Sequence, residues 1–128
     1  MFTGLKKSES RQLAALDLLS KADAARDAAL AEFARLASEV MGVSGCFITT
    51  FDDEFQYIKF VEKVPIEHDK IAIDRSMCQY TLADRQTIVC IDTRLDTRFS
   101  HQPLVQSGDI LFYASAPLIA KEGAVLGT

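Results

Sequence analysis

Residues 92–98 read Asp-Thr-Arg-Leu-Asp-Thr-Arg, two copies of one tripeptide four positions apart. Two guanidinium groups this close, each a planar fork that matches a carboxylate or phosphate, are the chain's strongest candidate for an anion site. The same residues have a second use. An aspartate side chain accepts backbone N–H groups from the turn that follows it, so the segment can equally be a loop that ties itself down. Asp92 follows the apolar run TIVCI (87–91), and Asp96 precedes Thr97-Arg98-Phe99. Asp92, Asp96 and Arg98 are therefore read as structural loop residues. Asp92 satisfies the turn, Asp96 caps a helical turn anchored by Leu95 and Phe99, and Arg98 pairs with a carboxylate or loop carbonyl. Arg94 shows no such local role and is the arginine expected to contact a ligand.

Other reactive side chains are few. The cysteines are Cys46, Cys78 and Cys90. An odd number without a C-x-x-C pair argues against a disulfide framework and against a structural zinc site. Cys46 and Cys90 lie inside apolar runs and read as small core residues, whereas Cys78 stands in a more polar stretch. His68 and His101 sit in polar loops without metal-ligand spacing, so no metal site is assigned. Neither a Gly-rich phosphate loop nor a G-x-S-x-G nucleophile motif is present, and no catalytic residue is assigned.

A chain of 128 residues is one ordinary domain, and 48% apolar with 25% charged residues is the composition of a globular protein. A net charge of −4 leaves no electrostatic footprint for nucleic acid. No apolar run approaches the ~20 residues that cross a bilayer, and the N-terminus MFTGLKKSES lacks the apolar region of a signal peptide. A cytoplasmic location, without membrane insertion by this segment, is expected.

The elements that must position these side chains follow from periodicity. Residues 8–19 read as a short helix with Leu13, Leu16 and Leu19 at spacings of three, and Ser20 or Asp23 can cap a second helix. That helix, over 24–41, has Leu30, Phe33, Ala37, Val40 and Met41 on one face and Arg26, Asp27, Glu32, Arg35 and Glu39 on the other, and Gly42 stops it. GCFITTF (45–51) and FQYIKFVEKV (55–64) flank the polar turn Asp52-Asp53-Glu54 and predict a hairpin. SMCQYTLADR (76–85) predicts two helical turns capped by Asp74 or Ser76, burying Met77, Tyr80 and Leu82 or Ala83. TIVCI is a short buried strand, DILFYASAPLIA (109–120) a long one, and AVLGT begins a last strand after the turn Lys121-Glu122-Gly123. The order predicts an α+β fold, a five- to six-stranded antiparallel sheet with helices packed against it. AVLGT lacks the apolar run that would complete its strand, so the chain is expected to be a fragment of a longer polypeptide.

Over Leu16–Thr128 the chain resembles the GAF domains, α+β sensory modules found upstream of diguanylate cyclases, histidine kinases and other signalling outputs. FARLASEVMGVSGCFITTFDDEFQYIKF is similar to the family's long helix and first hairpin. SMCQYTLADRQTIVCIDTRLDTRF is similar to the helix, strand and Asp-x-Arg-Phe loop of the subgroup linked to cyclases and kinases, and FYASAPLIAKEGAVLGT to its closing strand pair. Two departures stand out. The subgroup continues after Leu-Gly-Thr with a strand segment that lies centrally beside the first strand, and the position of Gln102 is more often Asn.

The resemblance implies a GAF domain over 23–128, its C-terminal strand incomplete, preceded by a helical segment (1–22) that is a candidate dimerisation helix. It implies a non-catalytic sensor that binds an unknown small molecule between the sheet, the 76–85 helix and the 92–109 loop, and shifts the conformation of an attached output domain. Phe47, Thr49, Cys78, Arg94, Phe99, Tyr113 and Ser115 are the pocket candidates. Alternation along the strand sets Tyr113 and Ser115 apart from Phe112 and Ala114, on the more polar face. A homodimer is expected, and no cofactor. The alternatives are a ligand-free dimerisation module, a cysteine-based methionine sulfoxide reductase, and a bilin carrier on Cys78. The last lacks the motif of photoreceptor GAF domains.

Overall fold

The structure, a computed structural model, describes residues 24–62 and 69–128. The helix read over 8–19, the caps at Ser20 or Asp23 expected for the helix that follows it, the end (63–64) of the strand read over 55–64, and His68 lie outside the described residues. Helix α1 (Ala24–Met41) occupies the predicted span. Gly42, at φ 64°, ends it as expected. Its N–H bonds Glu39 O at 3.2 Å and the Val43 N–H bonds Ser38 O at 3.1 Å, the paired closure that a left-handed glycine permits.

The face that α1 turns inward is not the expected one. It packs on β1 (Cys46–Phe51) and β2 (Phe55–Glu62) with Ala34 and Ser38 buried, and Leu30 half-buried, in one strip. Phe33, Val40 and Met41 are 62–75% exposed, and Leu36 is exposed as well. Small side chains four apart let the helix backbone approach the sheet closely, and that contact leaves the bulky apolar stripe outside.

β1 and β2 pair antiparallel, with a register shift after Ile48 that leaves Lys59 unmatched. The turn between them is held by Asp52, whose carboxylate accepts the N–H groups of Glu54 and Phe55, both at 2.8 Å, and the Tyr57 hydroxyl at 2.5 Å. β3 (Lys70–Ala72) adds to the outer edge of β2, and β7 (Val125–Gly127) lies between β1 and β6 (Leu118–Ile119). The main sheet is thus five-stranded and antiparallel, in the order β3-β2-β1-β7-β6.

The run 109–120 is not one strand. β4 (Ile88–Cys90) and β5 (Tyr113–Ser115) form a separate two-stranded sheet, and the chain crosses to β6 in the main sheet at Ala116-Pro117. Proline has no N–H for a ladder, so the run breaks there. Asp109 and Ile110 are tied instead to the short helix α3 (Pro103–Gln106), each donating to Leu104 O at 2.9 Å.

The contact of β7 with β1 depends on one glycine. Thr128 and Thr49 exchange backbone hydrogen bonds of 3.3 and 2.9 Å, and their hydroxyl oxygens are 2.9 Å apart. A Cβ on Gly127 would lie 1.8 Å from the Thr49 carbonyl oxygen, a backbone atom that cannot step aside. Gly127→Ala should therefore push β7 off β1 and lower stability by about 3 kcal/mol. Urea unfolding measures this, and an unchanged midpoint would refute the close-approach argument.

Candidate functional site

Helix α2 (Gln79–Asp84) carries Cys78 in the turn before it and Thr81 on its buried side. Neither Asp74 nor Ser76 caps it through a side chain, contrary to expectation. The Gln79 amide nitrogen instead reaches back to the carbonyls of Asp74 and Ser76, at 3.1 and 2.8 Å. Arg85, left-handed at φ 57°, closes the helix through its N–H to Thr81 O, and its guanidinium bonds Gly123 O. Met77 is buried and Tyr80 and Leu82 are half-buried, while Ala83 is exposed.

The loop after β4 answers the question raised by the doubled tripeptide. Asp92 accepts the Arg94 N–H at 3.1 Å and the Arg94 Nε and Nη2 at 2.9 and 2.8 Å. Asp96 accepts the Arg98 N–H at 2.9 Å and the Arg98 Nε and Nη2 at 3.0 and 2.8 Å. The two copies make the same fork. Arg94 therefore has the local partner that the sequence reading denied it, with its side chain 61% exposed. Asp96 also caps its turn, its carbonyl accepting the Phe99 and Ser100 N–H groups at 3.0 and 2.8 Å. Leu95 is 84% exposed and anchors nothing, so of the two expected anchors only Phe99 is buried.

Phe99 is fully buried. It meets Tyr80 edge to face at 5.5 Å and tilts against Tyr113 at 5.1 Å, while the Arg98 guanidinium lies 5.0 Å from its ring centre. Complete burial of such a ring stabilises by about 2–3 kcal/mol, and each aromatic contact adds about 1 kcal/mol. Below it, Met77, Cys78, Ile88, Cys90, Val105 and Tyr113 complete a buried cluster, with Phe47 packed against it from the main sheet. Cys78 Sγ and the Tyr113 hydroxyl are 3.0 Å apart. Burial, then the neighbouring Cys78, pushes the Tyr113 phenol well above its usual range. Burial likewise raises the Cys46 thiol, and burial followed by the Asp96 carboxylate raises the Cys90 thiol.

Five of the seven expected pocket residues thus belong to one layer: Phe47, Cys78, Phe99, Tyr113 and Ser115. The alternation proposed for β5 holds, since Tyr113 and Ser115 are buried while Phe112 and Ala114 are exposed. Thr49 is buried on the same strand face as Phe47 but is engaged with Thr128. Arg94 stays outside. The sequence reading passed over Gln56, Thr81 and Thr93, and gave Ser76 only as a cap, yet all four are buried. Thr81 lies one helical turn beyond Cys78, a spacing that marks it. Thr93 holds the loop to residues 110–111, its hydroxyl donating to Ile110 O at 2.6 Å and its N–H to Leu111 O at 2.9 Å. Among the described residues no three His, Cys, Asp or Glu side chains gather as metal ligands, and no helix is long and apolar enough to cross a membrane.

The Arg98 fork, then the Arg98 backbone N–H, holds the Asp96 carboxyl down at about 2. Asp92 is lowered by Arg94 in the same way. A carboxylate whose folded value is depressed contributes stability above its unfolded value, about 3.9, and loses it as pH falls through the folded one. Melting temperature should therefore drop between about pH 4 and pH 2. Asp96→Asn should lower it at pH 7 and flatten that acid limb. An Asp96→Asn profile parallel to wild type would show that the fork does not carry the acid sensitivity.

Solved structures of similar shape come from several bacteria. The GAF domain of a phosphoenolpyruvate-protein phosphotransferase from Coxiella burnetii aligns at TM-score 0.68 and 15% identity, over 95% of this chain and 76% of that one. A GAF sensor protein from Burkholderia vietnamiensis aligns at 0.63 and 20% identity, over 94% and 73%. The free methionine-R-sulfoxide reductase of Neisseria meningitidis aligns at 0.61 and 18%, over 99% and 75%. At these identities the likeness is one of fold. No protein of curated function matches the sequence. The GAF domain family model matches residues 25–128, which carry the sheet, the doubled tripeptide and the buried layer, and the chain belongs to that family.

Proposed function

We propose that this GAF domain is a non-catalytic sensory module that binds a small molecule in the layer beneath the 92–112 loop. The observation that carries the reading is the full or partial burial of Phe47, Cys78, Phe99, Tyr113 and Ser115 beneath a loop whose turns are braced by its own aspartate–arginine forks. A ligand that prefers one arrangement of that loop shifts its population. The terminal segments pass the shift to an attached output domain of the cyclase or kinase kind. In the cytoplasm such a module works as a homodimer, with residues 1–22 as the dimerisation segment ahead of a sensory domain over 23–128. The expected signature of the sensor is a small molecule that copurifies with the chain and is released on denaturation, identified by mass spectrometry.

The reductase reading draws on fold neighbours that are free methionine-R-sulfoxide reductases. Against it, Cys78 and Cys90 are 2% and 6% exposed, whereas a nucleophilic thiol needs an accessible, electropositive setting. The native protein should show no turnover of free methionine sulfoxide with dithiothreitol, and neither buried thiol should take iodoacetamide at neutral pH. Turnover that disappears in Cys78→Ala or Cys90→Ala would replace the sensory reading.

A ligand-free dimerisation module is favoured by one observation, the exposed stripe of Phe33, Leu36, Val40 and Met41 on α1. Sedimentation of the chain with and without residues 1–20 separates the two segments. A dimer lost on deletion assigns the interface to the N-terminal segment, and one that survives assigns it elsewhere.

A further inference from the structure

Among the described residues, four buried side-chain oxygens have no hydrogen-bond partner: Gln56 Oε1, Ser76 Oγ, Thr81 Oγ1 and Ser115 Oγ. Their residues are at most 8% exposed. Each gives up the hydrogen bonds it made to water in the unfolded chain, and native proteins keep few such atoms without a reason.

Each stands beside the buried cluster, next to one of its members along the chain, one helical turn from it, or on the same strand face. Ser115 shares its face of β5 with Tyr113, whose hydroxyl meets Cys78 Sγ at 3.0 Å. Thr81 lies one turn beyond Cys78 on the buried side of α2. Ser76 follows the short helical turn Ile73–Arg75, which leaves β3 at Ala72, the partner of Phe55. Gln56 is the cross-strand partner of Phe51, so it stands on the sheet face of Phe47 and Thr49, the face packed against the cluster.

Charge is missing from this layer. The buried polar residues among those described are serines, threonines and glutamines, with no Lys, Arg, Asp or Glu. The two nearby arginines of the loop are each already held by an aspartate. An anion entering such a layer would shed its water and meet no countercharge.

We infer that the layer takes a small, uncharged, hydrogen-bonding molecule and rejects anions. The inference rests on the sensory reading above. Gln56 Oε1 only accepts, so the ligand brings an N–H or O–H donor to it. The three hydroxyls donate or accept as the ligand requires. In the free protein the Thr81 hydroxyl weakens the fold, and with the ligand in place it holds it.

The test uses the full chain and the variants Thr81→Val and Ser115→Ala. Without added compound Thr81→Val should melt at or above the wild-type temperature, because its hydroxyl had no partner to lose, and Ser115→Ala should fall little, since its hydroxyl meets only the neighbouring Tyr113 phenol. Thermal shifts are then recorded with metabolite-sized compounds supplied as neutral and anionic counterparts, adenosine with adenosine monophosphate and acetamide with acetate among them. Uncharged members should stabilise the wild type, their anionic counterparts should not, and each variant should bind the effective compound about tenfold more weakly. Thr81→Val melting lower on its own would mean that its hydroxyl already has a partner, bound water included, and would overturn the inference. Stabilisation by the anionic members alone would overturn the ligand class and leave the sensory reading standing. No stabilisation by any compound would overturn both.

Discussion

A polar loop can lie against an apolar cluster only if its own hydrogen-bonding groups are answered without water, and that constraint organises this molecule. Between Asp92 and Phe112 the chain meets it almost entirely from within. Two aspartates take the turn amides and the arginine forks, Thr93 ties the loop to residues 110–111, and α3 closes on the carbonyls that precede it. With its polar groups paired, the loop can commit Phe99 to the interior, where the ring touches both Tyr80 and Tyr113. Phe99 then fixes the distance between α2 and the small sheet, and so the dimensions of the layer beneath. Removing a fork exposes more than one ion pair to loss, because the backbone amides under it are left unanswered as well.

Much of the scaffold was legible where the signals are local. Gly42 marks where α1 ends, and Asp52-Asp53-Glu54 between two β-rich runs marks the first hairpin. What failed was non-local. Periodicity identifies an apolar stripe on α1 but does not say which face meets the sheet. Here the packed strip is the one with the smallest side chains, Ala34 and Ser38. The run 109–120 carries no mark of which sheet each part joins, and only Pro117 hints at a break.

The two arginines teach a different lesson. Arg94 and Arg98 stand in identical tripeptides, and a fork between residues two apart depends on little outside them. Equal local sequence called for equal local geometry, and assigning them different roles set a tertiary guess above a local rule. The pocket residues were readable in part. Strand alternation places Tyr113 and Ser115 inside, while Gln56, Ser76 and Thr81 are polar residues whose burial depends on what covers them.

The crossing at Ala116-Pro117 joins the small sheet to the large one within two residues. Pro117 has one backbone torsion already set near −65°, so few rotations remain to absorb relative movement of the sheets. The link is therefore a stiff one, and a displacement at Tyr113 would be expected to turn the strand at Leu118 rather than be absorbed between them. Through the ladder of β6 with β7 it reaches Gly127, where β7 has least room beside Thr49.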